Sequence, residues 1–428
     1  MSRYLKSVCA ILLCLGLCAG AYAEPTTRLA KRHSAGTTHT STRAARARAS
    51  HARRSRAAVK ATKTAHTRGH AASARVTVHG RRRNGRAVLA VRRTRRRSRY
   101  VERFTASSYA DNLTLGDVTA GEDPVVRAAA IEALGNMNGT AVAINPDNGR
   151  ILAMVNQKLA LSRGAEPCST IKLSVALAAL EEGIITKDTL VNLGHGYKVN
   201  LTYALAKSIN PYFEVLGRTL GFERVKHYAN QFGLGELAGY HIQGEQLGVY
   251  PDEPLPEKLG GVGRMCSFGE SISMTPLQLG AIVSAIANGG TLYYLQHPET
   301  PQEVADFTPR IKRTLNIAPI IPEIIPGMAG AVGSSYGTAR SLRTSFNEFP
   351  VMGKTGTCSN DGTRFGWFAS YANTPNGRIV TVFFLEGGRP TFGPKAAELT
   401  GQFYRALWDN SYFAPKPSTV ETGSLGGN

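Results

Sequence analysis

Acidic residues are almost missing from the first quarter of this 428-residue chain. Between positions 24 and 103, only Glu24 and Glu102 face 24 lysines and arginines, so this segment alone carries +22. Residues 104–428 sum to −3 within the overall +21. The basic segment also has almost no aliphatic periodicity before Ala87–Val91. It cannot bury enough apolar surface to offset its ordering entropy, which excludes a packed core there and makes disorder the expectation. Metal chemistry lacks a framework as well. The four histidines past position 104 (His195, His227, His241 and His297) show no ligand spacing, and no H-E-x-x-H occurs. No cofactor is called for. No internal repeat is present, which excludes a solenoid or propeller.

Long hydrophobic runs are scarce. The first 23 residues hold a positive start (Arg3, Lys6), an apolar stretch from Cys9 to Gly16, and the small-x-small triplet Ala21-Tyr22-Ala23. The stretch is short for a membrane span. An export signal cleaved after Ala23 is the expectation, with an uncleaved anchor as the alternative and a periplasmic or envelope location implied. Bulky Leu17 argues against a lipoprotein site at Cys18. Behind such a signal, the polyanions expected to meet the 24–103 tail are cell-wall polymers, lipopolysaccharide or an anionic membrane surface. Nucleic acid is not the expected partner, and a plain solubilising spacer is the bland alternative. Three cysteines remain after the signal: Cys168, Cys266 and Cys358. Two small buried thiols are the preferred reading of Cys168 and Cys358; a disulfide or redox-sensitive pair is the alternative.

Order is expected from Phe104. Asp123-Pro124 reads as an N-cap and first-turn proline of a helix that stops at Gly135. Thr140–Ile144 and Ile151–Val155 flank Asn145-Pro146-Asp147-Asn148-Gly149 as a hairpin. Helical patterns occupy 169–183, 201–208, 211–220, 222–231 and 275–288, and strand patterns return at 366–371 and 379–385. A last helix is expected over 394–408. Strands at both ends with helices between predict an α+β fold, an antiparallel sheet flanked by helices plus an all-helical subdomain. The domain is expected over 104–410, followed by a flexible tail over 411–428.

Three short patterns carry the chemistry. Ser169-Thr170-Ile171-Lys172 places a hydroxyl and an amine at i and i+3, on one helix face. A serine attacks an amide only when a base removes its proton, and a lysine serves only when its neutral form is accessible. Lys354 could supply the neighbouring cation that favours this. Ser208-Ile209-Asn210 meets Pro211, which should force a turn, and its hydroxyl and amide can relay a proton and hold a substrate amide. Lys354-Thr355-Gly356-Thr357 reads as an edge strand. Its lysine and threonines suit a carboxylate, and Gly356 would let a substrate backbone approach.

S-x-x-K, S-x-N and K-T-G in this order are signature elements of serine enzymes that react with D-alanyl peptides and β-lactams. Over residues 120–410 the chain resembles penicillin-binding proteins, closest to their class B transpeptidase domain. Glu166-Pro167-Cys168-Ser169-Thr170-Ile171-Lys172 is similar to the family's E-P-G-S-T-x-K. Thr275–Leu279, Ala287–Gly290, Gly337–Ala339 and Gly353–Thr357 resemble its TPLQL, ANGG, GTA and GKTGT segments. The resemblance implies a β-lactamase/transpeptidase-like fold and a D,D-transpeptidase acting on D-Ala-D-Ala peptidoglycan stems and acylated by β-lactams. It implies Ser169 as nucleophile, Lys172 as base, Ser208 as proton shuttle and Asn210 as the orienter of the substrate amide. Lys354, Thr355 and Thr357 would hold the carboxylate, and the N–H groups of Ser169 and Thr357 would form the oxyanion hole. The chain departs from the pattern in three places. Cys168 replaces a glycine, Ser169 to Ser208 is a short span of 39 residues, and the basic tail stands where a folded pedestal is usual. The alternatives are a carboxypeptidase, a β-lactamase or β-lactam sensor on the same fold, and a non-catalytic wall-binding protein. Gly333-Ser334-Ser335-Tyr336-Gly337 matches G-x-S-x-G, but a helix rather than a strand is expected before it.

Overall fold

The computed structural model describes residues 103–414 and, ahead of them, two paired two-residue strands, Arg82–Arg83 and Arg86–Ala87. The export signal, the rest of the basic segment and residues 415–428 lie outside the described residues. That one minimal pairing is a feature the composition did not suggest.

A five-stranded antiparallel sheet organises residues 103–414. Its strands are β1 (Gly139–Ile144), β2 (Ile151–Val155), β3 (Val351–Asn360), β4 (Thr363–Thr374) and β5 (Gly377–Gly387), in the order β2-β1-β5-β4-β3. The seam between the chain's two ends is the β1–β5 pair, which runs from Val380 opposite Ile144 to Leu385 opposite Gly139. Alternation along β5 sends Val380, Val382 and Phe384 to one face and Ile379, Phe383 and Leu385 to the other.

The second of these faces packs on two helices, α1 (Pro124–Leu134) and a C-terminal helix over Gly393–Asp409. Helix α1 begins where the sequence places it, because Asp123 Oδ1 accepts the N–H groups of Val125 and Val126 at 3.0 and 3.1 Å. The first face carries the helical subdomain. It includes α2 (Lys172–Glu181), α3 (Leu201–Lys207), α4 (Asn210–Leu220), α5 (Gly261–Phe268), α6 (Pro276–Asn288) and α7 (Ile321–Gly333). Helix α6 opens with a capping box between Thr275 and Gln278. Helix α5, rich in glycine, escaped the periodicity reading. Among the described residues no helix is long and apolar enough to cross a membrane.

The packed domain runs past position 410, a correction to the expected boundary. Phe413 is buried, and the Tyr412 hydroxyl donates to Asp123 Oδ2 at 3.1 Å. One carboxylate thus caps α1 and anchors the chain's last described turn. Replacing it, Asp123→Ala, is expected to destabilise the domain by about 1–2 kcal/mol. Thermal denaturation should show a Tm lower by about 2–6 °C; an unchanged Tm would count against the double role.

Candidate active site

Ser169 lies in a single 3₁₀ turn, Cys168–Ile171, that feeds directly into α2. The turn is pressed against β3, and Gly356 makes this possible. A Cβ at Gly356 would stand 2.8 Å from the Pro167 carbonyl and 3.3 Å from Cys168 Cβ. The close approach that Gly356 permits is therefore that of the chain's own turn, not of a substrate backbone as the sequence suggested. Trp367 on β4 fastens the turn from behind, donating its indole N–H to the Glu166 carbonyl at 3.0 Å.

Cys168 and Cys358 are joined in a disulfide, which overturns the reading of two separate thiols. Their Cα atoms are 5.5 Å apart because the Gly356 contact draws turn and strand together, and that spacing suits a bridge. Cys266 is the free cysteine among the described residues and is buried. Cys168 also holds φ at 52°, in the left-handed region where the family pattern has glycine. The cysteine keeps the glycine's backbone shape and adds a crosslink.

Lys172 is fully buried. Its amine touches Ser169 Oγ at 2.5 Å, Asn210 Oδ1 at 2.7 Å and the Ser267 carbonyl at 2.6 Å. A neutral amine has two N–H bonds and one lone pair. The two carbonyl oxygens can only accept, so they take both N–H bonds and aim the lone pair at the serine hydroxyl. Burial pushes the Lys172 amine well below the usual lysine range, and the positive charge of Lys354 pushes it further, against a smaller pull from Glu214. An amine in this state can remove the Ser169 proton. Ser267, at the end of α5, belongs to no recognisable motif, and since its backbone does the work, no side-chain signal could have exposed it.

Lys354 is also fully buried and points inward, not out to solvent. It donates to Ser208 Oγ at 2.9 Å and to the Thr355 carbonyl at 2.7 Å, and burial lowers its pKa to about 7. Ser208 receives it from a left-handed conformation, φ 58° and ψ 49°, at the end of α3. The turn before Pro211 thus comes one residue earlier than expected: Ile209 is extended and Asn210 already begins α4. Thr355 Oγ1 donates to Thr338 Oγ1 at 2.6 Å, and Thr357 Oγ1 accepts the Gly393 N–H at 2.8 Å. Thr338 is thus tied to the strand, a link hinted at by the Gly337-Thr338-Ala339 segment. The structure forms two hydrogen-bonded groups, Lys172 with Ser169 and Asn210, and Lys354 with Ser208, with Thr355, Gly356 and Thr357 on the strand that carries Lys354. The G-x-S-x-G segment starts at the last residue of helix α7, so a helix and not a strand precedes it.

Residues 139–405 match the family described as the penicillin binding protein transpeptidase domain. The chain belongs to this family. Among family members, Stage V sporulation protein D of Bacillus subtilis (strain 168) is 29% identical over 334 residues, covering 66% of this chain and 50% of that protein. Peptidoglycan D,D-transpeptidase FtsI of Escherichia coli (strain K12) is 24% identical over 297 residues, covering 61% and 46%. The chain spans about half the length of the curated relatives it matches. The fold is shared with solved penicillin-binding proteins. The transpeptidase domain of Burkholderia pseudomallei penicillin-binding protein 3 superposes with TM-score 0.56 at 20% identity, covering 68% of this chain and 95% of that one. Pseudomonas aeruginosa PBP2 gives 0.57 at 24%, covering 71% and 78%.

Two outcomes test the cluster. A cation beside Lys172 favours its neutral form, so Lys354→Met should raise the Lys172 pKa. The acid limb of the pH profile for penicillin labelling of Ser169 then moves to higher pH, and labelling at neutral pH slows by at least about tenfold. A limb that stays in place rules out the coupling. Reducing the Cys168–Cys358 bridge, which closes a span of 190 residues, should lower stability by about 2–5 kcal/mol in urea unfolding.

Proposed function

We propose that the chain is a serine acyl-transferase of the D,D-transpeptidase type, acting on D-Ala-D-Ala ends of peptidoglycan stems and acylated by β-lactams. The observation that carries this reading is the Lys172 amine, buried, held by two carbonyl acceptors and aimed at Ser169 Oγ. In the first step Ser169 Oγ attacks the penultimate D-alanyl carbonyl while its proton passes to Lys172. The N–H groups of Ser169 and Thr357 receive the developing oxyanion. As the C–N bond breaks, Ser208 hands its hydroxyl proton to the departing D-alanine nitrogen and recovers one from the Lys354 ammonium that donates to it. Asn210 orients the substrate amide as well as the lysine, and Thr355 and Thr357, with Lys354 behind them, hold the terminal carboxylate beside Gly356. A second nucleophile then takes the acyl group from Ser169. A β-lactam enters the same path, but its amine stays tethered to the acyl group and blocks that second step.

Among the described residues no carboxylate hydrogen-bonds to Ser169 or Lys172. This favours a long-lived acyl-enzyme over a β-lactamase. We also read residues 1–23 as an export signal and residues 24–103 as a cationic segment for anionic wall polymer or membrane surface, which places the enzyme in the cell envelope.

Incubation with a fluorescent penicillin should give one adduct that mass spectrometry maps to Ser169, with a lifetime of hours. Ser169→Ala should remove it, and Lys172→Ala should slow its formation by about 10²–10⁴-fold. An adduct on another residue would overturn the mechanism, and rapid turnover would make the chain a β-lactamase. Envelope phenotype intact in Ser169→Ala would favour a non-catalytic wall-binding role.

A further inference from the structure

A cleft of about 990 Å³ opens beside β3, walled by the segment after α7 and by Pro394. It borders the strand at both threonines of the proposed carboxylate site. Thr338 lines it and accepts a hydrogen bond from Thr355; Pro394 lines it and follows Gly393, whose N–H donates to Thr357.

The cleft has one sign of charge. Arg340 and Arg343 both line it and are exposed. Arg340 Nη1 is steered by the Ser335 carbonyl at 2.8 Å, and Arg343 by the Gly333 carbonyl and Asn347 Oδ1, both at 3.0 Å. These partners fix direction without neutralising charge. Among the described residues neither guanidinium pairs with a carboxylate. Glu348, the sole acid between 333 and 350, is held by Arg405. A further cation stands near the rim: Tyr336 packs on Tyr203 at 4.8 Å, and the Tyr203 hydroxyl accepts from Lys207 Nζ at 3.0 Å. Oriented guanidiniums without counter-ions suit planar carboxylates, which they bind in a bidentate manner.

The chemistry of acyl transfer says which carboxylate. Resting on the transpeptidase reading, the leaving amine departs from the side where Thr355 and Thr357 hold its carboxylate. The acceptor amine must attack the same acyl carbonyl, and by microscopic reversibility it occupies the place the leaving amine vacated. Its N–C bond forms as the Ser169 Oγ–C bond breaks, and one amine proton returns to Ser169 Oγ. Whatever the acceptor carries beyond that amine is led past the two threonines into the cleft. We propose that the Arg340–Arg343 cleft is the acyl-acceptor subsite, and that it selects a peptide acceptor bearing a further carboxylate.

The test measures how a D-alanyl thioester donor, turned over by the full chain, partitions between hydrolysis and transfer. The acceptors are the tripeptide Ala-γ-D-Glu-diaminopimelate and the same peptide with its glutamyl carboxylate amidated. The ratio is independent of how fast the acyl-enzyme forms. The unmodified chain should prefer the free carboxylate, and the double variant Arg340→Ala/Arg343→Ala should lose about tenfold in transfer to it while transfer to the amide holds. Arg340→Lys/Arg343→Lys, which keeps the charge, should recover part of the loss. Equal losses for both acceptors, or no loss, would overturn the assignment. A fall in donor acylation with an unchanged ratio would give the cleft to the donor strand instead. Absence of any acyl-enzyme in the unmodified chain would sink the transpeptidase reading itself, and the subsite with it.

Discussion

Two buried lysines that form no ion pair among the described residues are the constraint around which this domain is arranged. Taking an ammonium out of water costs several kcal/mol unless it sheds its proton or finds a counter-ion. Here Lys172 and Lys354 are satisfied by carbonyls and hydroxyls, which stabilise a neutral amine and only partly support a charged one. The depressed proton affinity of Lys354 makes the fold gain stability as pH rises from about 7 toward the ordinary lysine range, since the unfolded chain still holds the proton that the folded one has shed. Poise for chemistry and weakened stability on the acid side thus have one cause.

Each hydrogen-bond partner of the Lys172 amine comes from a different element: Ser169 from the 3₁₀ turn, Asn210 from α4 and Ser267 from α5. The packing of α4 on α5 therefore bears on how the amine is held. At their crossing, a Cβ on Gly217 would fall 2.6 Å from Cys266 Sγ, so the two helices meet with no room between them. A shift of a few tenths of an ångström there would move an acceptor off the amine.

Much of this was legible beforehand, for identifiable reasons. Asp123-Pro124, the Asn145–Gly149 turn and Thr275-Pro276 are local signals whose partners lie within a few residues, and they fall where expected. The Ser169–Lys172 pair is equally local, since helical spacing alone brings the two side chains together. What escaped depends on distant contacts or on the backbone. The Ser267 carbonyl carries no side-chain identity. Gly356 looked like an opening for substrate, but the turn holding Cys168 fills that space. The disulfide depends on the packing of the 168–171 turn against β3, a contact between segments 190 residues apart. The inward bonds of Lys354, to Ser208 Oγ and to the Thr355 carbonyl, likewise depend on which elements pack against β3.

The sheet brings together segments from the two ends of the domain, and the disulfide encloses the chain between them as a covalent ring. Cys168 and Cys358 each sit one residue outside the pair Ser169 and Thr357, so nearly every element of the helical subdomain belongs to the ring. A peptide bond cut anywhere inside it, in any of its loops, opens the ring without releasing a fragment. The two walls of the site would remain tethered at the place where they meet, so a protease can nick this domain without dividing it.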